Sequence, residues 1–227
     1  MQNVRELLEA ERETERDFVT GAATEPPHPT GWTPALLMFH LATWRERLGD
    51  ALRQVSRGQT YAPPPDNIDE VNDRELAANA ATSLEDAAKR SDVALAGLIT
   101  VWDAMGDRPF EWYMARTTAE ALIRNSYHHP RVHLAEHFTE RGDAARGHRL
   151  VEESATQLRE ASAPHHTLGA AVYNLACVRT AQGKPEEALR LLEEAFVMRP
   201  DLASVAPGDP DLVRLRDEPR FRTITGV

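Results

Sequence analysis

The chain contains a single cysteine, Cys177, among its 227 residues. One cysteine excludes an intramolecular disulfide and any zinc site built from several cysteines, and it fits a reducing compartment. Long apolar runs are also missing, since the longest nearly apolar stretch, residues 34–42, is far shorter than the ~20 residues of a membrane-spanning helix. Residues 1–16 place charges where a secretion signal has an unbroken apolar region. We therefore expect a cytoplasmic protein that has no membrane-spanning segment.

Positive charge is scarce, because 26 Lys and Arg residues stand against 36 Asp and Glu residues and leave a net charge of −10. Such an acidic surface repels phosphate backbones, so we expect no nucleic-acid partner. Histidine, in contrast, is abundant. The chain has nine histidines, and His128, His129, His133 and His137 fall within ten residues. This cluster is the first candidate for a functional site.

The spacing of the apolar residues predicts an all-α protein, because most long segments repeat them every three or four positions. Thr33 with Pro34 fits a helix start, as does Ser83, whereas Gly58 and Gly106 fit helix ends. We expect long helices at about 2–19, 34–57, 84–105 and 114–139, a short helix at about 68–80 and a proline-rich connection at 21–31. Four long amphipathic helices with one longer connection predict a four-helix bundle over residues 1–141.

Residues 142–227 differ in kind from the predicted bundle. A helix is expected at 144–161, and residues 169–202 resemble one tetratricopeptide (TPR) unit. The positions that carry this resemblance are Asn174, Leu175, Ala176, Gly183, Pro185, Glu186, Ala188, Ala195 and Pro200. One unit cannot bury its apolar faces alone. We expect it either to pack with its neighbouring helices as a small subdomain or to bind a peptide or a second copy of the chain in a homodimer.

Two histidines four residues apart on a helix point the same way and suit two adjacent positions around a metal ion. His129 and His133 form one such pair, His133 and His137 form another, and His40 lies on the inward face of a different predicted helix. Three imidazoles with one open position are typical of a catalytic metal site. The alternative interpretation is a polar helix face, with His40 as a hydrogen-bonded core residue.

Two segments resemble a known family. Residues 31–48, GWTPALLMFHLATWRERL, contain His40 and resemble the second-helix signature of the DinB-like four-helix-bundle superfamily. Residues 125–138, NSYHHPRVHLAEHF, resemble its last-helix H-x-x-x-H motif. The start of that segment and residues 68–91 are also similar to the branch that includes colibactin-resistance proteins. The resemblance covers about residues 1–140 and implies an up-down-down-up bundle.

This resemblance implies one divalent metal ion, with zinc or nickel favoured, held by His40, His129 and His133. Enzymes of the superfamily include thiol-dependent S-transferases and isomerases that use mycothiol, bacillithiol or glutathione. We therefore expect a metal-dependent S-transferase or hydrolase that acts on small electrophiles with a low-molecular-weight thiol, in detoxification or stress response. Two alternatives stay open: a non-catalytic interaction protein that uses the TPR-like segment, and a protein that protects against a genotoxin without metal.

Pro130 departs from a regular helix because it lies between His129 and His133. Proline removes the backbone hydrogen bond to residue 126 and disfavours helical geometry at the residue before it. We therefore expect a kink at this point. A kink leaves open whether His137 replaces His129 as a ligand.

We also assign expected roles to five further side chains. Glu136 and Tyr127 adjoin the histidines and are candidates for orienting a ligand or transferring a proton. Trp44 and Trp102 are expected to pack the core. Cys177 is expected to be a small buried residue and not a nucleophile.

Overall fold

The computed structural model describes residues 2–24 and 31–227, which are predominantly helical, so the expected all-α class is confirmed. The α-helices are α1 (Gln2–Ala22), α2 (Pro34–Ser56), α3 (Ile68–Ala78), α4 (Leu84–Met105), α5 (Thr118–Ile123), α6 (His129–Glu140), α7 (Ala144–Glu160), α8 (His165–Ala181), α9 (Pro185–Met198), α10 (Leu202–Val205) and α11 (Pro219–Thr225). A π-helical turn spans Arg124–His128, and 3-10 turns span Ala206–Gly208 and Pro210–Leu215. Residues 25–30 of the predicted proline-rich connection lie outside the described residues.

The chain divides into two compact units, the first ending at Gly142 and the second spanning Asp143–Val227. In the first unit, α1, α2, α4 and the segment from α5 to α6 pack around one core. The apolar stripe of α2 faces that core, with Leu37, Leu41, Trp44, Leu48 and Leu52 buried. Among the described residues, no helix has both the length and the apolar character required to cross a membrane.

Several helix ends form as the sequence predicts. The Thr33 hydroxyl accepts a hydrogen bond from the Leu36 N–H at 3.2 Å, and Pro34 occupies the first turn of α2. The Ser83 hydroxyl accepts from the Asp86 N–H at 3.1 Å in the same way. Because such capping side chains satisfy N–H groups that have no partner within the helix, they fix where α2 and α4 begin.

The predicted start of the last long helix, at about residue 114, is wrong. Residues 109–117 instead form an antiparallel hairpin of two strands, β1 (Pro109–Trp112) and β2 (Ala115–Thr117). Its turn holds Tyr113 at a positive φ of 53°, which is unusual for a residue with a side chain. The helix then begins at Thr118, and Thr117 caps it by accepting from the Glu120 N–H. The alternation of buried and exposed side chains in β1 is too short to reveal a strand reliably from the sequence.

The second unit is built on the packing of α8 against α9, and α7 also packs on α8. Ala176, Ala188 and Ala195 are completely buried, and their small side chains allow the helix backbones to approach closely. The same core includes Val172, Tyr173, Leu189, Leu192, Leu212, Leu215 and Phe221. The C-terminal residues from 206 onward thus contribute side chains to the core of this unit.

Candidate metal centre

Three histidines from two helices meet inside the first unit. His40 lies on α2 and is only 4% exposed, while His129 begins α6 and His133 follows one turn later. The Nε2 atom of His129 lies 3.3 Å from Nε2 of His40 and 3.0 Å from Nε2 of His133. The rings of His40 and His133 are 5.0 Å apart between centroids. The structure therefore brings together the three histidines that the sequence singled out.

The spacing of the nitrogen atoms fits a shared metal ion. In a tetrahedral site with Zn–N distances of 2.0–2.1 Å, two ligand nitrogens are separated by roughly 3.3 Å. The two short Nε2 distances at His129 are close to this separation. A neutral imidazole nitrogen is either a donor or an acceptor, so hydrogen bonds alone do not satisfy three nitrogens that converge in this way. The group of His40, His129 and His133 could hold a metal ion.

The surroundings of His40 and His129 favour the neutral form of their imidazoles. Burial lowers the pKa of His40 to about 3, with further contributions from the charges of His133 and Arg47. Burial also lowers the pKa of His129 well below its usual range, and the neighbouring His133 and His40 act in the same direction. Because a metal ion binds the deprotonated imidazole nitrogen, a low pKa leaves these side chains in the form that a metal requires near pH 7.

Glu136 is placed to orient one of the three histidines. Its Oε2 atom lies 3.1 Å from Nδ1 of His133, on the opposite side of the ring from the nitrogen that joins the cluster. A carboxylate in this position favours the tautomer that carries its proton on Nδ1 and leaves Nε2 free to bind metal. Tyr127, the other candidate beside the histidines, is fully buried with the Arg131 guanidinium 4.4 Å above its ring.

Just before Pro130, where the sequence predicts a kink, the structure has a π-helical turn. The His129 N–H donates to the carbonyl of Arg124, five residues earlier, and α6 then continues with Pro130 in its first turn. His129 and His133 consequently remain on one face instead of splaying apart. His137 lies elsewhere, because its ring packs edge-on against Phe18 at 4.8 Å. The alternative ligand His137 is therefore not part of the cluster.

Trp32 covers the cluster, with its ring 4.8 Å from that of His40 and 5.3 Å from that of His133. The preceding Gly31 has a φ of +75°, a conformation that favours glycine, and a β-carbon there would displace the end of the Glu140 side chain. The Arg141 side chain donates to the Trp32 carbonyl at 3.1 Å. The residues before α2 are thus held against the C-terminal end of α6.

A cavity of about 530 Å³ adjoins the three histidines. Its aromatic wall consists of Trp32, Trp44, Trp112 and Tyr113, and its polar wall consists of Asp69, Asn72, Asp73, Arg124 and Asn125. The sequence does not indicate that residues of the hairpin and of α3 line a cavity. Only the short alternation in β1 could have indicated the hairpin.

Trp44 both packs in the core and lines the cavity, so the expectation of a core role describes only part of its position. Its indole N–H donates to Asn72 Oδ1 at 3.2 Å, and Asn125 donates to its carbonyl oxygen at 3.4 Å. The Arg47 guanidinium lies 4.8 Å above the indole ring. These contacts fix one aromatic wall of the cavity against α3. Trp102 is buried, as expected.

A second group of potential ligand atoms joins Cys177 with Asp209 and Asp211 in the second unit. Burial and the two carboxylates raise the pKa of the Cys177 thiol. Asp209 accepts hydrogen bonds from the Tyr173 hydroxyl at 2.7 Å and from the Asp211 N–H at 2.9 Å. These hydrogen bonds show that Asp209 caps the turn Pro210–Leu215. The Cys177 thiol stays protonated and is therefore unsuited to nucleophilic attack.

Comparisons of the chain with protein-family models, with curated proteins and with solved structures found no match. The resemblance of residues 31–48 and 125–138 to a known superfamily therefore stays a prediction. The converging histidines and the cavity beside them are the features of the first unit that indicate a function.

Proposed function

We propose that the protein is a DinB-like metalloenzyme in which His40, His129 and His133 bind one divalent ion, zinc or nickel. In this proposal, α1, α2, α4 and the segment from α5 to α6 form an up-down-down-up four-helix bundle. The activity is that of a thiol-dependent S-transferase or a hydrolase of small electrophiles. The observation that carries the proposal is the convergence of three imidazole Nε2 atoms beside a cavity.

The donor set favours catalysis over a purely structural role. Structural zinc sites usually have four protein ligands, whereas three imidazoles leave one coordination position for a small molecule. Imidazole nitrogen suits zinc and nickel in preference to magnesium or calcium, which prefer oxygen ligands. A divalent ion in this position would supply Lewis-acid chemistry by lowering the pKa of a thiol or water molecule at its open position.

The protein residues bind and orient the reactants. A volume of about 530 Å³ is typical of a small-molecule site, and the aromatic wall suits an apolar or aromatic electrophile. Glu136 holds the ring of His133, while Trp32 restricts access of water to the cluster. The thiol must come from a cosubstrate, because the chain has only Cys177 and its thiol stays protonated.

Elemental analysis tests the metal centre directly. Protein purified without a chelator or an affinity tag should contain about one zinc or nickel ion per chain. His40→Ala should lose this metal, whereas His137→Gln should keep it, because His137 lies on the same helix as two ligands but outside the cluster. Native protein without metal, or His40→Ala protein with a full equivalent, would refute the centre.

The reaction is tested with metal-loaded protein, chlorodinitrobenzene as electrophile and glutathione or another small thiol. In the expected transfer, sulfur forms a bond to the aromatic carbon, chloride leaves, and the thiol proton is released to solvent. The rate should exceed that of His129→Ala protein at equal concentration. If no thiol or electrophile in a broad panel reacts, the transferase proposal fails even when metal is bound.

We also propose that α8 and α9 form one TPR-like unit with a structural role. Support comes from the three buried alanines where the two helices meet, at positions 176, 188 and 195. A single unit leaves apolar faces uncovered. In this chain α7 packs on α8, and Phe221 of α11 enters the same core, so these neighbours cover the faces that further repeats would cover.

A further inference from the structure

The Arg45 guanidinium lies inside the first unit, where four helical segments meet. Arg45 belongs to α2 and is only 1% exposed. It donates to the Glu15 carboxylate of α1 at 2.7 Å and to the Ser91 hydroxyl of α4 at 2.6 Å. Its Nη2 also donates to the backbone carbonyl of Ser126, in the π-helical turn, at 3.3 Å. One side chain thus contacts α1, α4 and the turn that precedes α6.

The Ser126 carbonyl lies in a turn where the regular α-helical pattern of hydrogen bonds is interrupted. The His129 N–H donates to the carbonyl of Arg124, five residues earlier, and Pro130 has no N–H to donate to a preceding carbonyl. Ser126 is fully buried, and a buried carbonyl without a partner is unfavourable. Arg45 supplies a donor for this carbonyl from α2.

This arrangement connects two of the proposed ligands. Arg45 follows His40 on α2 by five residues, and Ser126 precedes His129 by three residues. The distance of 3.3 Å between the Nε2 atoms of His40 and His129 depends on how the π-helical turn lies against α2. The bond from Arg45 to Ser126 is a direct polar contact between those two segments.

We propose that Arg45 is a positioning residue of the metal centre, acting through the Ser126 carbonyl to hold His129 against His40. The inference rests on the proposed metal site. Glu15 of α1 forms an ion pair with the Arg45 guanidinium and so helps to hold it against the Ser126 carbonyl. The chain also offers a matched control, because Arg131 forms an equally buried pair with Glu11 of the same helix α1. That pair joins α6 to α1 and does not connect α6 to the helix that carries His40.

Two double variants of the full-length protein test this role. Arg45→Met with Glu15→Leu removes the positioning pair without stranding a buried charge, and Arg131→Met with Glu11→Leu does the same for the control pair. Zinc affinity is measured by competition with a chromophoric chelator, and the visible absorption of bound Co²⁺ reports the ligand geometry. We expect the first variant to bind zinc about 10–100 times more weakly, with an altered Co²⁺ spectrum, as is typical when the support of a ligand is lost. The control should retain the native affinity and spectrum.

The two double variants decide the proposal together. An equal loss of zinc affinity in both would overturn the positioning role of Arg45. The absence of any loss in the Arg45→Met and Glu15→Leu variant would overturn it as well.

A metal-free measurement separates this inference from the proposed function. If the native protein binds no divalent metal, the proposed function fails, and the positioning role is then decided by NMR of the imidazole nitrogens. The ¹⁵N shifts of His40 and His129 should change in the Arg45→Met and Glu15→Leu variant and remain native in the control. Unchanged shifts in the first variant would refute the role of Arg45.

Discussion

In the first unit, Arg45 and Arg131 lie inside the core, each paired with a glutamate of α1. In the second unit, the Arg159–Glu194 pair lies at half-exposed positions, and the core around α8 and α9 is made mainly of alanine, leucine and aromatic side chains. Buried ion pairs are rarely more stable than apolar side chains of similar size. The first unit therefore contains charges that stability alone does not explain, and one of them, Arg45, donates to the turn that precedes His129.

The largest expected effect comes from breaking a buried pair in the first unit. Arg131→Met leaves Glu11 buried without its partner and should lower the free energy of unfolding by up to about 3–5 kcal/mol. Burial raises the pKa of Glu11 to about 8, so protonation of the unpaired carboxyl group relieves part of this loss near neutral pH. Urea unfolding followed by tryptophan fluorescence measures this, because all four tryptophans lie in the first unit. Adding Glu11→Leu should restore much of the loss. A single variant as stable as the native protein would show that the buried charge is unimportant.

A cavity in the apolar core of the second unit should give a comparable or slightly smaller effect. Leu192 is completely buried between α8 and α9, so Leu192→Ala should cost about 2–5 kcal/mol. Circular dichroism should register the change, while the zinc affinity stays native. A loss of zinc affinity in this variant would contradict the purely structural role proposed for the second unit.

Glu136→Gln should weaken zinc binding by about tenfold, because an amide favours the required tautomer of His133 less than a carboxylate does. Zinc should consequently raise the melting temperature of this variant less than it raises that of the native protein. Glu140→Gln, one turn further along α6, is the control and should bind zinc normally. Identical behaviour of the two variants would remove Glu136 from the metal centre.

The smallest effect is expected at the surface of the second unit. Arg159→Met removes a half-exposed ion pair with Glu194 and should change the free energy of unfolding by less than about 1 kcal/mol. Urea unfolding followed by circular dichroism measures it. A loss as large as that of Arg131→Met would mean that burial does not distinguish the ion pairs of the two units.

Local chemistry made much of the helical fold predictable. Thr33 and Ser83 cap helices through hydrogen bonds between residues three apart, and Gly106 ends α4 with a positive φ, so these ends depend on neighbouring residues alone. The hairpin was not predictable in this way, because its two strands are too short for a periodic signal. Strand pairing of that length depends on packing against the rest of the unit.

The residues of the candidate site likewise include some that local sequence predicts and others that it does not. The spacing of His129 and His133 and the inward position of His40 are visible in the sequence, and the structure places these side chains together. Arg45 gave no signal, since arginine on a helix is usually a surface residue. Arg45 is buried with partners from three other segments, namely Glu15 of α1, Ser91 of α4 and the carbonyl of Ser126. Contacts between segments that are distant along the chain cannot be predicted from the residues near Arg45.

The attachment of Trp32 to the end of α6 has a mechanical consequence. Arg141, which directly follows α6, donates to the carbonyl of Trp32, and Trp32 directly precedes the cap of α2. The backbone beside the indole is thus joined to the His40 helix by the chain itself and to the other helix by one hydrogen bond. A separation of α2 from α6 would therefore break this hydrogen bond at the same time as it moved His40 away from His129 and His133.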